Sequence, residues 1–418
     1  MKIELKYGEG IQIAEIPDKH LKGVLLPEEE QGRRTEEEEI ADALEYPIGT
    51  ERLRDLVQPG HRAVIITSDI TRPFPSATVL PFVLRELEAG GIPRENATVV
   101  FALGSHRTHT KEEMARLLGK KLWGQVSCRD SDPLDCVRLG TTARGTPVDV
   151  TRAVAEADIK ICLGNIEYHY FAGYSGGAKA VMPGVSSWEA IQNNHKLMAS
   201  DQAAAGRLED NPVREDIEEA GRICGIDFIL NAVLDRNKKI AKAFAGDAVK
   251  AHRAGCRYAD RVYRRRVDGK ADIVVVSPGG FPKDVNLYQT QKALDNAAHA
   301  VKRGGIIILA GECREGVGSP VLQKWLTEAE TPRKVLERIA AEFELGGHKA
   351  AAIAGVQEKA SVYLISELPA SVSQAMFFIP ARTVQEALEE ALDIMGKDAS
   401  VLVIPSGGAV FPYTTENG

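Results

Sequence analysis

Short apolar runs that end in polar loops, each followed by a helical pattern, recur along this chain and constrain its fold more than any other feature. The helix after the second run opens with Thr110 three residues before Glu113, the spacing of a capping box. Strands that alternate with helices are typical of a parallel sheet with crossover helices, so we predict an α/β fold with largely parallel sheets. The runs with their loops are "HRAVIITSDITRPFP", "ATVVFALGSHRTHT" and "ADIKICLGNIEYHYFAGYSGGAK".

The chain of 418 residues is longer than one hydrophobic core usually serves, so we expect two domains. A second strand, helix and strand series follows the basic run "RVYRRRVDGKAD" and places a larger α/β domain at residues 1–268 and a smaller one at residues 269–418. The basic run itself is typical of a solvated linker face. The terminal "ASVLVIPSGGAVFP" predicts one more strand, which either stays in the second domain or returns to the first.

Charge and composition exclude several classes of protein. The formal charge of −7, with lysine and arginine scattered along the chain, argues against nucleic acid as a partner. No apolar run approaches the roughly 20 residues that span a bilayer, which argues against a membrane protein. Six cysteines without a CxxC pair predict reduced thiols, and Cys162 lies in an apolar run typical of the core. We therefore predict a cytoplasmic protein.

Two histidines lie in loops that follow predicted parallel strands. Because the carboxyl ends of parallel strands meet at one edge of a sheet, these loops are expected to face a common crevice. His106 lies in the second loop and His169 in the third, where side chains reach ligands rather than the core. A lone loop histidine is usually only a polar surface residue, but two in converging loops favour proton transfer. His109 is a near neighbour that could take the place of His106.

Lys179 follows a serine and two glycines, Ser175, Gly176 and Gly177. Glycine allows positive φ and a close approach of backbone N–H groups to an anion, so this turn resembles a phosphate cradle weakly, and a simple turn is the commoner structure. Lys179 has three interpretations: a salt-bridged surface amine, a point charge on a phosphate, or an amine that forms a covalent bond. The spacing alone favours the second.

His195 lies on the predicted helix "SWEAIQNNHK", sixteen positions after Lys179. No HxxH, HExxH or cysteine set accompanies it, so the residues alone favour a structural histidine over a zinc ligand. Asp69 and Arg72 follow the first strand, and an arginine fork suits a planar carboxylate or phosphate.

A helix of the second predicted domain offers a further polar group. Tyr288 and Lys292 lie four apart on one helical face, with Gln289 one turn before Lys292. These residues could bind a small carboxylate in an interdomain cleft or form an exposed helix face.

Four segments, taken together and in order across residues 69–292, resemble the lactate racemase family of nickel-pincer-nucleotide enzymes. They are "SDITRP", "GSHR", "HYFAGYSGGAKAVMPG" followed by "NNH", and "GGFPKDVNLYQTQK". The resemblance implies two α/β domains with the active site in the cleft between them, and a cofactor held by residues 1–268.

The cofactor that the resemblance implies is a nickel-pincer nucleotide, pyridinium-3,5-bisthiocarboxylic acid mononucleotide with nickel, attached covalently through Lys179. Two sulfurs and a ring carbon of the cofactor would bind nickel, and His195 would complete a roughly square-planar set. That arrangement accounts for a histidine without protein co-ligands. The residues that would hold the phosphate and ribose are Asp69, Thr71, Arg72, Ser175, Gly176 and Gly177.

His106 and His169 would then be paired acid/base residues of a 2-hydroxy acid racemase or epimerase. One takes the proton of the 2-hydroxyl while hydride leaves the adjacent carbon for the cofactor, and the other returns a proton after the keto acid turns. Histidine suits this exchange because its ordinary pKa lies near neutrality. The residues that would grip or line the substrate are Arg72, Tyr288, Gln289 and Lys292.

The substrate stays open among lactate, malate, longer aliphatic or aromatic acids and sugar acids, with small residues in "FELGGHKAAAIAG" (343–355) favouring something larger than lactate. Proteins of cofactor biosynthesis are candidate partners, and the sequence does not indicate an oligomeric state. Two alternatives remain. One is an aldolase or dehydratase that uses Lys179 as a Schiff base, and the other is a non-catalytic protein that binds the nucleotide or nickel.

Overall fold

A computed structural model describes residues 1–28, 34–200, 202–235, 237–344 and 346–414. The chain divides into two compact α/β units. The middle unit comprises Glu29–Arg261, and the terminal unit combines Met1–Glu28 with Val262–Gly418. This division differs from the predicted one, in which residues 1–268 form one domain.

The described residues form strands and α-helices, which alternate in some parts of the chain and follow one another in short runs of strands or of helices in others. The strands are β1 Lys2–Tyr7, β2 Gly10–Glu15, β3 Leu21–Val24, β4 Ala63–Ser68, β5 Ala97–Ala102, β6 Ser127–Asp130, β7 Cys136–Thr141, β8 Pro147–Thr151, β9 Ile159–Asn165, β10 Tyr168–His169, β11 Gly173–Tyr174, β12 Phe228–Leu234, β13 Ile240–Gly246, β14 Arg264–Val267, β15 Ala271–Val276, β16 Val301–Ala310, β17 Ser361–Ile365, β18 Ile379–Pro380, β19 Val401–Ile404 and β20 Phe411–Thr414. The helices are α1 Glu36–Glu45, α2 Leu53–Leu56, α3 Ser76–Ala89, α4 Lys111–Leu118, α5 Arg152–Ala155, α6 Trp188–Lys196, α7 Pro212–Cys224, α8 Lys250–Tyr263, α9 Leu287–Ala298, α10 Pro320–Glu328, α11 Pro332–Ala341, α12 Gly347–Gln357, α13 Ala370–Ala375 and α14 Val384–Met395.

The middle unit is built on a six-stranded sheet in the order β13-β12-β9-β4-β5-β6. Only β13 runs antiparallel to its neighbour. Ile65 and Ile161 pack into one apolar cluster, whereas Val64 and Cys162 pack into another. Because successive side chains of a strand point to opposite faces, the sheet is covered by apolar residues on both faces, which explains its continuous apolar strands. The predicted burial of Cys162 and the capping box of α4 are confirmed.

The terminal unit has a fully parallel six-stranded sheet in the order β18-β17-β16-β15-β19-β3. Strand β3 pairs with β19, and β1 and β2 form a hairpin whose Ile3 and Leu5 pack in the same apolar cluster as Ile273 and Val275 of β15. These contacts explain why the N-terminal residues belong with the C-terminal half. The N-terminal segment "MKIELKYGEGIQIAEIP" alternates polar and apolar residues, which is the pattern of a hairpin with one apolar face buried.

The basic run around Arg264 is a strand and not a linker, because β14 pairs in parallel with β20. The guanidinium of Arg264 lies 4.3 Å from the centre of the Tyr413 ring. The terminal segment that the sequence leaves open contributes β19 and β20, and both stay in the terminal unit.

Among the described residues, no helix is both long and apolar enough to cross a membrane. The cytoplasmic location stays a prediction.

Candidate active site

The predicted convergence of loops follows directly from the sheet of the middle unit. Strands β9, β4 and β5 are parallel neighbours, so their carboxyl ends lie at one edge. Asp69 follows β4, His106 follows β5, and His169 follows β9 on the short strand β10. Polar residues from three loops therefore come to the edge where α/β proteins bind their ligands.

Buried Asp69 and half-buried His106 form a pair at this edge. A carboxylate oxygen of Asp69 bonds to Nδ1 of His106, and Thr71 donates its hydroxyl proton to the other oxygen at 2.8 Å. Burial acts to raise the pKa of the Asp69 carboxyl, but the charge and hydrogen bond of His106, with Arg72 and Thr71 nearby, hold it well below its usual value. Asp69 is thus an anion that fixes the His106 ring and stabilises its protonated form.

His109 has a different environment from His106, so it is not a substitute for it. Its side chain is only 1% exposed, its Nδ1 lies 2.5 Å from Asp130, and its Nε2 accepts the backbone N–H of Ile70 at 3.0 Å. Because a backbone N–H can only donate, the ring proton of neutral His109 is on Nδ1 and is donated to Asp130. His109 holds the loop that carries Asp69, a role that sequence reasoning missed.

His169 and Lys179 are in direct contact. Nε2 of His169 lies 3.2 Å from Nζ of Lys179, and Nδ1 accepts the backbone N–H of Ala172 at 3.3 Å. The ring of Phe171 packs edge-on against His169 at 4.6 Å between centroids, and the Lys179 amine lies 6.0 Å from the same ring. The structure therefore brings together a proton-transfer group and a primary amine that both lie in the segment "HYFAGYSGGAKAVMPG".

These two hydrogen bonds together favour one protonation state. A neutral imidazole that accepts at Nδ1 carries its proton on Nε2, so Nε2 donates to Lys179. An ammonium group has no lone pair to accept that bond, whereas a neutral amine has one. The geometry fits an unprotonated Lys179, the form that acts as a nucleophile.

His195 is buried near the end of α6, whose N-cap is Ser187. Its ring packs edge-on against Phe171, with 5.0 Å between the centroids. Phe171 thus contacts His169 on one side and His195 on another, a central position that sequence reasoning missed although the residue stands within the quoted motif. Within the parts of the chain that the structure describes, no group of three or more histidine, cysteine, aspartate or glutamate side chains is arranged to hold a metal ion.

The serine and glycine turn is packed against protein rather than open. The Ser175 hydroxyl donates to the carbonyl of Asn165 at 2.7 Å, and the Gly177 N–H donates to Oδ1 of Asn231 at 2.7 Å. A Cβ added at Gly177 would lie 3.0 Å from the ring of His252. These donors are engaged in shaping the turn, so the structure favours a tight turn over the predicted phosphate cradle.

Gly173 offers a test of how tightly this region is packed. It pairs with His169 in the ladder of β10 and β11, has φ of +75°, and an added Cβ would lie 2.1 Å from the carbonyl oxygen of Arg207. We expect Gly173→Ala to lower the free energy of unfolding by about 2 to 4 kcal/mol, from backbone strain and overpacking together. Gly225→Ala is the matched control, because Gly225 has φ of +78° with open space around it and should cost only about 1 kcal/mol. Urea unfolding of both variants measures the difference, and equal losses would contradict the packing argument.

The predicted substrate residues of the terminal unit lie in the first turns of α9. Lys292 donates to Oε1 of Gln289 at 2.8 Å, and Gln289 is buried. The hydroxyl of Tyr288 lies 3.5 Å from Nε2 of His348, and the Lys349 amine lies 5.0 Å from the centre of the Tyr288 ring. The three predicted residues therefore cluster with the segment 343–355 that the sequence singles out, of which residue 345 lies outside the described residues.

Comparison with known proteins shows the family to which the chain belongs. Residues 7–206 match the lactate racemase N-terminal domain, and residues 267–411 match the lactate racemase C-terminal domain. The chain is 35% identical over 421 residues to lactate racemase of Thermoanaerobacterium thermosaccharolyticum, covering 98% of each chain. It is 33% identical over 419 residues to lactate racemase of Lactiplantibacillus plantarum, covering 97% of this chain and 98% of the relative.

Solved structures give the same result. The lactate racemase apoprotein from Thermoanaerobacterium thermosaccharolyticum superposes with a TM-score of 0.90 at 33% identity, over 99% of this chain and all of the other. A protein from Thermotoga maritima shares the fold with a TM-score of 0.74 at 19% identity, over 93% of this chain and all of the other. The chain belongs to the lactate racemase family and is an isomerase.

Proposed function

We propose that this protein racemises or epimerises a 2-hydroxy acid, with lactate as the first candidate substrate. The observation that carries the proposal is the placement of two histidines at one sheet edge, each held by a different partner. Asp69 holds His106 and the Lys179 amine contacts His169. Racemisation requires a proton acceptor for each enantiomer, and two histidines in separate loops supply that pair.

The nickel-pincer nucleotide fits this site in two respects. A neutral Lys179 amine beside His169 suits covalent attachment, and the buried imidazole of His195 offers one nitrogen to nickel. When bound, the cofactor would supply a reversible acceptor for hydride from the substrate carbon. The turn of Ser175, Gly176 and Gly177 gives less support, because its hydroxyl and the Gly177 N–H already have protein partners.

The protein residues would move protons and orient the substrate. Nδ1 of His106 is held by Asp69, so Nε2 is the nitrogen that would exchange a proton with the 2-hydroxyl. Nε2 of His169 would do the same for the opposite enantiomer once the cofactor is attached. Because this nitrogen carries the ring proton while it donates to the Lys179 amine, the exchange requires the tautomer with the proton on Nδ1. A neutral imidazole takes the proton, and the anionic Asp69 stabilises the imidazolium that results.

Cationic and polar side chains would fix the substrate. We propose that the Arg72 guanidinium binds the carboxylate, since its fork of donors matches two carboxylate oxygens. Tyr288, Gln289 and Lys292 are proposed to bind the carboxylate or the 2-oxygen. The Lys292 to Gln289 hydrogen bond would orient the amide for that contact.

The test is a chiral assay of the full-length protein, co-expressed with a pathway that makes the cofactor, on D- and L-lactate and then on a panel of 2-hydroxy acids. We expect interconversion of the enantiomers, bound nickel, and an intact mass increased by an adduct of nucleotide size. Lys179→Ala is expected to lose the adduct, because it removes the amine through which the cofactor would be attached. Unmodified, nickel-free wild-type protein, made in cells that load a known lactate racemase, would overturn the cofactor assignment.

Borohydride trapping of the same protein distinguishes the Schiff-base alternative from the proposed racemase. A lysine enzyme of that kind would be trapped at Lys179 by borohydride in the presence of a keto acid, without nickel. Trapping without racemisation would replace the proposed function with an aldolase or dehydratase.

A further inference from the structure

Five successive carbonyl groups between His169 and Lys179 accept hydrogen bonds from other parts of the middle unit. Every carbonyl oxygen from Phe171 to Ser175 accepts a hydrogen bond from elsewhere in the middle unit. The donors are Asn211 Nδ2 to Phe171 at 2.8 Å, Arg214 Nε to Ala172 at 3.0 Å, the Gly206 N–H to Gly173 at 3.0 Å, Arg214 Nη2 to Tyr174, and His252 Nε2 to Ser175 at 2.8 Å.

Asn211 is the member of this set that reaches the active site most directly. It is fully buried at the N-cap of α7. Its Oδ1 accepts the backbone N–H groups of Val213 and Arg214 at 3.1 and 3.2 Å. The amide orientation follows from those two bonds, because a flipped amide would set NH₂ against N–H. Nδ2 therefore donates, and one of its acceptors is the Phe171 carbonyl.

The peptide that Asn211 holds is the one that donates to His169. The Phe171 carbonyl and the Ala172 N–H belong to the same peptide group, and that N–H donates to Nδ1 of His169. Nε2 of His169 then contacts Lys179. A continuous series of hydrogen bonds runs from Asn211 through one peptide and one imidazole to the lysine amine, and each bond in such a series polarises the next.

We propose that Asn211 is a positioning residue for the active site, which fixes the Nε2-protonated form of His169 through the Phe171 peptide and thereby keeps Lys179 a neutral amine. The inference rests on the proposed function only for the roles of His169 and Lys179. Asn211 would touch neither the substrate nor the cofactor, and it acts entirely through the backbone.

The decisive change keeps the helix cap and removes the donor. Asn211→Ser retains an oxygen that caps α7, but serine is too short to reach the Phe171 carbonyl. Thr383→Ala is the matched control, because it removes the N-cap side chain of α14 in the terminal unit and leaves the donors to residues 171–175 unchanged. If Asn211→Ser does not fold, Asn211→Asp keeps the size and the cap, and its carboxylate has no proton to donate.

The first readout is acylation of Lys179 in the full-length, unloaded chain at neutral pH, measured by peptide mass spectrometry against the exposed Lys397. Only the unprotonated amine reacts. We expect wild-type Lys179 to react faster than Lys397. In Asn211→Ser, acylation of Lys179 should be slower by about tenfold for each unit by which the pKa of its amine rises. The second readout is the ¹⁵N chemical shift of the two ring nitrogens of His169. In Asn211→Ser, the Nδ1 signal should lose the shift of a nitrogen that accepts a hydrogen bond.

The outcomes separate this inference from the proposed function. Thr383→Ala should lower the thermal midpoint without changing either readout. Wild-type reactivity of Lys179 in Asn211→Ser, or slow labelling of Lys179 in the wild type, would overturn the positioning role. Labelling as expected together with absent racemisation would overturn the proposed function alone.

Discussion

Replacing His106 or His169 by glutamine is expected to lower kcat for racemisation by about 10²- to 10⁴-fold, the usual contribution of a positioned acid/base group. Glutamine retains hydrogen-bonding atoms but cannot take up a proton near neutral pH. Each single variant should fail in both directions, because racemisation needs a proton acceptor for one enantiomer and a proton donor for the other. Initial rates from D- and L-lactate, divided by the fraction of protein that carries the nucleotide adduct, measure the effect.

His61→Gln is the matched control for this pair. His61 lies in the same unit just before β4, at the amino end of the sheet, which is the edge opposite the candidate site. The activity of this variant should match that of the wild type. Turnover at the wild-type rate in both His106→Gln and His169→Gln would contradict the two-base mechanism.

Asp69→Asn is expected to lower kcat by a similar 10²- to 10⁴-fold while leaving the fold intact. The amide keeps the size of the carboxyl but removes the charge that stabilises protonated His106. It can also present NH₂ to Nδ1 and impose the wrong tautomer on the ring. Asp158→Asn is the control, because Asp158 accepts the backbone N–H of Arg62 at the amino end of β9, away from both histidines. Equal activity of Asp69→Asn and wild type would remove Asp69 from the mechanism.

The same carboxyl gives a pH dependence of stability with a defined sign. The pKa of Asp69 is depressed in the folded protein, so its contribution is fully present above the ordinary aspartate pKa of about 4 and is lost as pH falls towards the folded value. The free energy of unfolding of the wild type should therefore fall more steeply below about pH 4 than that of Asp69→Asn. Urea unfolding of both proteins across this pH range tests the assignment. Parallel plots of the free energy of unfolding against pH would contradict it.

The sheet edge and its loops could be predicted because strand, loop and helix patterns are local. The apolar strands, the capping box of Thr110 and the helix that carries His195 all depend on neighbours within a few residues. The position of the N-terminal hairpin could not be predicted in the same way. Its alternating pattern shows that one face is buried, but the strands it covers lie more than 250 positions away in the sequence.

Within the site, the residue types indicate what chemistry is possible, but they do not indicate which side chains bond to one another. His106 and His109 stand in one loop with similar local sequence, and only the folded structure shows that one bonds to Asp69 while the other is buried against Asp130. The pattern of Asn211 before Pro212 is typical of a helix start, so it predicts that the side-chain oxygen of Asn211 caps α7. It does not predict the hydrogen bond that the side-chain nitrogen of Asn211 donates. That bond crosses 40 positions to Phe171, and such long-range contacts leave no local signal.

The split composition of the terminal unit has a consequence for biosynthesis. The first 28 residues emerge from the ribosome long before Val401, which pairs with Leu21 in the finished sheet. The middle unit is one uninterrupted segment, and it can complete its own contacts while translation continues. The hairpin of β1 and β2, with an apolar face that requires cover, must wait until almost the whole chain has been made. We therefore expect nascent chains to expose the apolar residues of this hairpin until the strands and helices that cover it have been made, and that is the stage at which they are most open to aggregation or to a chaperone.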